Sequence, residues 1–340
     1  MNEITRVAID TSKSVFTLHA VDAQDRPVLR RNLRRQDLVA FFASLPPVAV
    51  SMEACGGSHY WGRTLQALGH RVRLIPAQYV KPFVKRGKND RNDAQAISEA
   101  AARPGMQAVA VKSAEAQARA MLLTVRELLV RQRTQLVNAL RGHATEMGLV
   151  APIGGKGLAK LRSEIDADAT LPEAAAEALQ LLGKEVDRLE ARLVEIDKNL
   201  LAQHKADPAS LRLSAIPGVG PMSALSFSRM VDATQFESGR HFAAWLGLVP
   251  REMSTGGKQR LGGISRAGNE RLRQLLVLGA TAVIRYAKPG RPGSSAWLLA
   301  LLERKPRKLA AVALANKMAR IIWAMLTRGE DYRPAKPVVA

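Results

Sequence analysis

Near the N-terminus, apolar and polar positions alternate with the two-residue period of half-buried strands. Residues 6–10 (RVAID) form a β-branched run that ends in an acid. Residues 14–21 (SVFTLHAV) alternate, and Asp22-Ala23-Gln24-Asp25-Arg26-Pro27 makes a turn before a third extended run at 28–33. The pattern then shifts to a helical period over 36–45 and stops at Pro46-Pro47. A buried strand follows, Val48-Ala49-Val50-Ser51-Met52, again ending in an acid, Glu53. Residues 60–68 suit a helix closed by Gly69, 71–75 a fifth strand before Pro76, and the alanine-rich 92–103 another helix. Three consecutive strands followed by alternating helices and strands predict a mixed sheet with flanking helices.

From about Ser113 the period becomes helical throughout. Leu122, Val125, Leu129, Gln132, Leu136 and Ala139 step by three and four residues. After a Gly/Pro break at 151–157, Leu182, Val186, Leu189, Leu193, Ile196 and Leu200 repeat as a short heptad seam with charges between them. This predicts an antiparallel helical hairpin, a coiled-coil arm. A third region opens at Asp207-Pro208, where Ile216-Pro217-Gly218-Val219-Gly220-Pro221 separates two helices as in a helix-hairpin-helix element. In that reading Gly218 and Gly220 let backbone N–H groups face a phosphate. The expected fold class is therefore α/β plus all-α. Its parts are an α/β domain over 1–112, a helical arm over 113–206, a mainly helical C-terminal domain over 207–330 and a tail over 331–340. Trp245, Trp297 and Trp323 fall on apolar helical faces and read as core, and Ser265 reads as the cap of the helix after it.

Charge narrows the partners. The formal net charge is +21, and a surplus that large points to a polyanion, because each Lys or Arg beside a phosphate releases condensed counterions. From Arg240 onward 19 basic residues face 5 acidic ones, so the surplus concentrates at the C-terminus. Lys258, Arg260, Arg266, Arg271 and Arg273 lie in a glycine-punctuated loop and the helix after it, while Lys88 and Arg91 flank an acid in the first region. The single cysteine, Cys55, excludes a disulfide framework and a cysteine-rich zinc site. With no signal peptide and no 18-residue apolar stretch, the chain reads as soluble, cytoplasmic and nucleoid-associated, without a membrane partner.

The chemistry-bearing residues are acids. Asp10 and Glu53 each leave the end of an apolar strand, and if the two strands are neighbours both carboxylates emerge at one sheet edge. Asp90 and Asp93, three apart at a helix start, can share a face. Singly, each has an ordinary role as a turn or capping residue. Together, four converging carboxylates repel and are neutralised by one or two Mg²⁺ ions, which prefer oxygen ligands and suit in-line phosphoryl displacement.

The stretches V-A-I-D-T-S-K, S-M-E-A-C-G-G, K-N-D-R-N-D-A and G-L-V-P-R-E-M-S-T-G-G-K-Q-R-L-G-G-I-S-R-A-G-N resemble the insertion-sequence family numbered one-ten, its eleven-eleven subgroup most nearly. The resemblance runs from about residue 5 to 328. It implies a DEDD recombinase or transposase with an RNase H-like (RuvC-like) N-terminal domain, a coiled coil and a C-terminal transposase domain that supplies a serine. Carried over, Asp10, Glu53, Asp90 and Asp93 become the metal-binding tetrad. The nucleophile becomes Ser254 or its neighbour Thr255, with the primary hydroxyl of Ser254 the less hindered attacker. Such a hydroxyl forms a protein–DNA ester that preserves bond energy for rejoining, and Lys258 and Arg260 stand where they can steady the phosphorane. The resemblance also implies double-stranded DNA as donor and target, a noncoding guide (bridge) RNA, and a homo-oligomer, dimer or tetramer, in which one protomer's acids meet another's serine. With few aromatics and no ribonucleoprotein signature, any RNA is read by shape and backbone. The competing reading is a Holliday-junction-type metal-dependent endonuclease without a covalent intermediate. A sugar kinase of the actin-like fold lacks its paired glycine-rich phosphate loops here, and a scaffold without catalysis leaves the four acids and the serine without a purpose.

Overall fold

The computed structural model describes residues 3–85, 90–291 and 293–334, which form two compact units, one over Met1–Ala118 and one over Arg119–Ala340. The first unit is built on five strands: β1 (Arg6–Asp10), β2 (Val15–Val21), β3 (Pro27–Arg34), β4 (Ala49–Glu53) and β5 (Arg71–Ile75). Their order across the sheet is β3-β2-β1-β4-β5. The meander β1-β2-β3 pairs antiparallel, while β4 and β5 add in parallel on the other side of β1. Helices α1 (Leu38–Ala43) and α2 (Ser58–Ala67) make the crossovers, and α3 (Ala77–Val80) and α4 (Asp90–Ala102) follow β5.

Strand alternation sorts the side chains of this sheet onto two faces. Val7, Ile9, Val50 and Met52 turn to one face and pack with Leu38, Phe42, Trp61 and Leu65 of α1 and α2. Ala8 turns to the other, where α4 lays Ala96, Ile97, Ala100 and Ala101 beside it and Ile75. An alanine-rich helix suits this face because small side chains let the helix approach the sheet closely.

In the second unit, α5 (Ala114–Glu146) begins in the boundary segment, and α6 (Gly155–Ala167) and α7 (Glu173–Lys205) follow. The ion pairs Arg126–Asp197 and Arg133–Glu190 fix α5 and α7 as antiparallel, since the residue number rises on one helix as it falls on the other. On α7 the heptad seam stands as expected, with Val186, Leu189, Leu193 and Leu200 buried. On α5 the seam is displaced by one position. Leu123, Leu140 and Ala144 are buried, whereas Val125 is 41% exposed. The displacement arises because Arg126 and Arg133 occupy seam positions and reach across to their carboxylates, a use of charged side chains that counting apolar residues does not detect. The end of the expected break at 151–157 opens a helix that the sequence reading did not include, α6, whose Leu158, Leu161 and Ile165 join Leu140, Leu179 and Val186 in the arm's distal core.

Helices α8 (Pro208–Leu213), α9 (Pro221–Met230) and α10 (Gly239–Trp245) precede a two-stranded hairpin, β6 (Pro250–Glu252) and β7 (Leu261–Ile264). Helices α11 (Glu270–Arg285), α12 (Ala296–Arg304) and α13 (Arg307–Arg328) complete the unit. The arm does not separate from the C-terminal region as a domain of its own. Leu123 and Leu200 share a buried cluster with Leu225 of α9, so the helical region beyond 118 is one unit. Helix α13 is long and apolar enough to cross a bilayer by length and composition, contrary to the sequence expectation. Its Ala310, Ala315, Met318, Ala319 and Ile322 are nevertheless buried in the main core with Leu272, Leu276 and Phe242. Of the three tryptophans, Trp245 and Trp323 pack against this core, while Trp297 is 38% exposed with the Lys317 ammonium 4.5 Å from its ring centroid. Of the expected tail, residues 335–340 lie outside the described residues.

Candidate active site and nucleic-acid interface

The acids of the first unit are placed by strand register. Ile9 pairs with Met52 on parallel neighbours, so Asp10 and Glu53 are the next residues out at the carboxyl ends of β1 and β4. Adjacent strands run about 4.8 Å apart. Alternation gives both residues the same face as Ala8, the face that α4 covers. Asp10 also pairs with Thr17 on β2, which puts it at the centre of the sheet. Both acids are half-buried. The loops beyond them are tied together by the Thr11 hydroxyl and the Cys55 thiol, 3.1 Å apart. The exit of β4 is fixed further by the Ala54 N–H, which donates to the Ile75 carbonyl at 2.8 Å.

Helix α4 brings Asp93 over the same face. Asp93 lies one turn before Ile97, and Ile97 is buried against the sheet; residues four apart on a helix share a face. Asp93 is half-buried and Arg91 is exposed. Asp90 is the first residue of α4, but its side chain lies outside the described residues, as does Lys88 entirely. Among the described residues no three His, Cys, Asp or Glu side chains gather closely enough to hold a metal ion. The structure thus makes neighbours of Asp10 and Glu53 and sets Asp93 on the helix packed over their face. Carboxylate oxygens are hard donors, which suit a hard divalent cation rather than a thiophilic one.

In the second unit the expected glycine-punctuated loop is a β-hairpin. Gly256 and Gly257 have φ of +56° and +75°, and Thr255 and Lys258 bridge across them. This is the primed turn whose twist matches the flanking strands and which glycine adopts without steric cost. A two-residue Gly-Gly between extended runs is a hairpin signal that was present in the sequence. Ser254 is exposed just before the turn. Its hydroxyl donates to the Glu252 carboxylate at 3.0 Å and accepts the Arg260 backbone N–H at 3.0 Å. Glu252 was not among the expected site residues. The signal for it is spacing alone, since residues two apart in a strand share a face. Among the described residues the Thr255 hydroxyl has no hydrogen-bond partner.

The basic residues divide into two kinds. Lys258, Arg260 and Arg266 are exposed, and among the described residues none has an ion pair. Arg271 is different. It donates to the Leu123 carbonyl at 2.6 Å and pairs with Glu127 at 3.0 Å, with only 15% of its side chain exposed. Burial pushes its guanidinium below its ordinary range, partly offset by Glu127. Arg273 is buried and donates to the carbonyls of Leu246 and Ala267. Sequence spacing does not distinguish a solvated arginine from one recruited to hold two helices together.

The Pro-Gly-Val-Gly turn is also accounted for by packing at one of its two glycines. Gly218 has φ +86°, and a Cβ there would stand 2.6 Å from the Gly279 carbonyl oxygen of α11. Its lack of a side chain admits this close helix approach. Gly220 has open space around it, ahead of Pro221 at the start of α9. The helix after the hairpin is capped by Asn269, which accepts the Leu272 N–H at 3.1 Å, in place of the expected Ser265.

With this geometry established, known proteins supply a comparison. Residues 7–148 match a DEDD-type family model described as a transposase, and residues 210–292 match one described as the transposase IS116/IS110/IS902 family. The chain is 50% identical over 338 residues to the putative transposase y4pF/y4sB of Sinorhizobium fredii, covering 99% of this chain and 87% of the relative. It is 48% identical over 335 residues to a probable family 20 transposase of Pseudomonas aeruginosa, covering 97% and 99%. It is 42% identical over 336 residues to the transposase for insertion sequence element IS1111A of Coxiella burnetii, covering 98% and 92%.

Proposed function

Because the chain belongs to the IS110 family of transposases, enzymes of DNA transposition with a DEDD N-terminal domain, we propose that it cuts and rejoins the ends of its own mobile element through a covalent serine–DNA intermediate. The observation that carries this reading is the pairing of Asp10 and Glu53 at the ends of neighbouring parallel strands, under the helix that bears Asp93. In this proposal Asp10, Glu53, Asp90 and Asp93 hold one or two Mg²⁺ ions, which when bound supply the positive charge that a phosphoryl displacement requires. Asp10, Glu53 and Asp93 together offer hard carboxylate oxygens at one sheet face, the donor type that divalent cations of this class prefer, and this supports a metal role.

Ser254 is the proposed nucleophile. Its exposure and its two hydrogen bonds orient the oxygen, and its neighbour Thr255 lacks both contacts. The hydroxyl attacks a DNA phosphate, and the ester that results keeps the phosphate activated for rejoining. The exposed side chains of Lys258, Arg260 and Arg266, with Arg91 in the first unit, bind the phosphates of double-stranded donor and target DNA. A noncoding guide RNA and a homo-oligomer, dimer or tetramer, complete the proposal. The net charge of +21 supports a polyanionic load larger than one duplex.

The test is a denaturing gel of protein incubated with labelled element-end DNA and Mg²⁺. A protein–DNA adduct is expected that disappears with EDTA, in Asp10→Asn and in Ser254→Ala. Cleavage without adduct in the wild type identifies a Holliday-junction-type endonuclease instead and overturns the serine reading. Sequencing the RNA that purifies with the protein tests the guide: a single abundant transcript of the element is expected, and a random mixture of cellular RNA counts against it.

A further inference from the structure

We infer that Glu252 is the general base that takes the proton of the attacking hydroxyl, an inference that rests on the reading of Ser254 as nucleophile. A serine hydroxyl has one proton and two lone pairs. The Oγ–H of Ser254 points at the Glu252 carboxylate, 3.0 Å away. One lone pair receives the Arg260 backbone N–H, also at 3.0 Å. One lone pair is left, directed away from both, on a side chain that is exposed to an incoming phosphate. That is the arrangement an activated nucleophile needs: a base within hydrogen-bond reach, a donor that holds the oxygen as charge develops on it, and an open direction of attack.

The hairpin makes this geometry stiff. The Gly256–Gly257 turn sets the strand pairing, Met253 N–H donates to the Arg260 carbonyl at 2.9 Å, and Glu252 pairs with Leu261. Glu252 is the last residue of β6, and Ser254, two residues further on, keeps its hydroxyl on that carboxylate.

The step balances without an additional reactant. The Ser254 Oγ–phosphorus bond forms as the bond from phosphorus to the departing nucleoside oxygen breaks. The Oγ proton passes to Glu252, and the departing oxygen takes a proton from solvent. In the reverse step, the nucleoside hydroxyl attacks the ester while the protonated Glu252 returns its proton to the serine oxygen. One carboxyl group thus serves cleavage as a base and rejoining as an acid.

The experiment uses the full-length protein with its co-purifying RNA, labelled element-end duplex and Mg²⁺, and follows the rate of adduct formation. Glu252→Gln and Glu252→Ala are expected to form adduct about a hundredfold more slowly, with DNA retention on a native gel and thermal unfolding unchanged. Sodium formate, a small carboxylate that can enter the vacated space, is expected to restore Glu252→Ala by about tenfold or more and to leave Ser254→Ala inert. A slowing of less than about tenfold in Glu252→Gln, or no rescue by formate, overturns the assignment of Glu252 while leaving the serine in place. If Ser254→Ala still forms adduct, the nucleophile is elsewhere and both readings fall together.

Discussion

At the scale of the residue, the same side-chain type serves opposite purposes in this protein, and the surroundings decide which. Arg271 and Lys258 belong to one basic cluster in the sequence, yet Arg271 is committed to Leu123 and Glu127 while Lys258 is exposed and, among the described residues, has no ion pair. Arg271→Ala is therefore expected to lower stability by about 2 kcal/mol, the scale of hydrogen bonds that involve a charged group, and to leave DNA affinity nearly unchanged. Urea unfolding beside a binding titration checks both. Lys258→Ala is expected to show the opposite pattern. His19 is another case set by its surroundings. Buried on the α4 face, its imidazole is held below its ordinary value by burial first, then by Arg30, Arg6 and Lys85, against which Glu99 pulls upward. The unfolded chain then takes up a proton near pH 6.5 that the folded chain accepts only at lower pH. This contribution to stability is complete above pH 6.5 and declines as the pH falls below it. Urea midpoints at pH 7.5 and 5.5 are expected to fall farther in the wild type than in His19→Leu.

At the scale of the element, strand ends and turns carry the candidate chemistry. Both acids of the sheet sit where a parallel strand stops, so one register, Ile9 against Met52, makes neighbours of residues far apart in sequence. The Ser254 hairpin does the same with a two-glycine turn. In the turn before α9, Gly218 is held by close packing. Gly218→Ala puts a methyl group 2.6 Å from the Gly279 carbonyl and strains a backbone of φ +86°. We expect a loss of about 3 kcal/mol from overpacking and strain together, read as a lower urea midpoint. Gly220→Ala, with open space around it, is expected to cost less than about 1 kcal/mol. Equal losses at the two glycines would show that the approach of α11 is not what requires Gly218.

At the scale of the whole molecule, charge governs how the chain meets its partner. With a net charge of +21, DNA affinity is expected to fall steeply with salt, log K dropping linearly with log salt. Replacing Lys258 and Arg260 together by alanine should make that slope shallower by about two, one for each cation removed from a phosphate, whereas Arg271→Ala should leave it as it is. Fluorescence anisotropy across a salt series measures both. A slope that does not change in the double variant would remove the hairpin from the DNA interface.

Much of this architecture was legible in the chain. Apolar runs ending in Asp10 and Glu53, the heptad of α7 and the alanine-rich α4 are local patterns, and local patterns follow from backbone geometry that neighbouring residues share. The sequence alone determined the five strands, the run of long helices, the basic surplus and the position of Asp10 and Glu53 at strand ends. Tertiary structure decided what no spacing encodes: that β1 and β4 are adjacent, that Arg126 and Arg133 enter the arm's seam, that Arg271 is occupied, and that Glu252 sits against Ser254. Each of these depends on which distant surfaces meet when apolar area is buried. A side chain's chemistry is set by what then surrounds it, and not by its place in the chain.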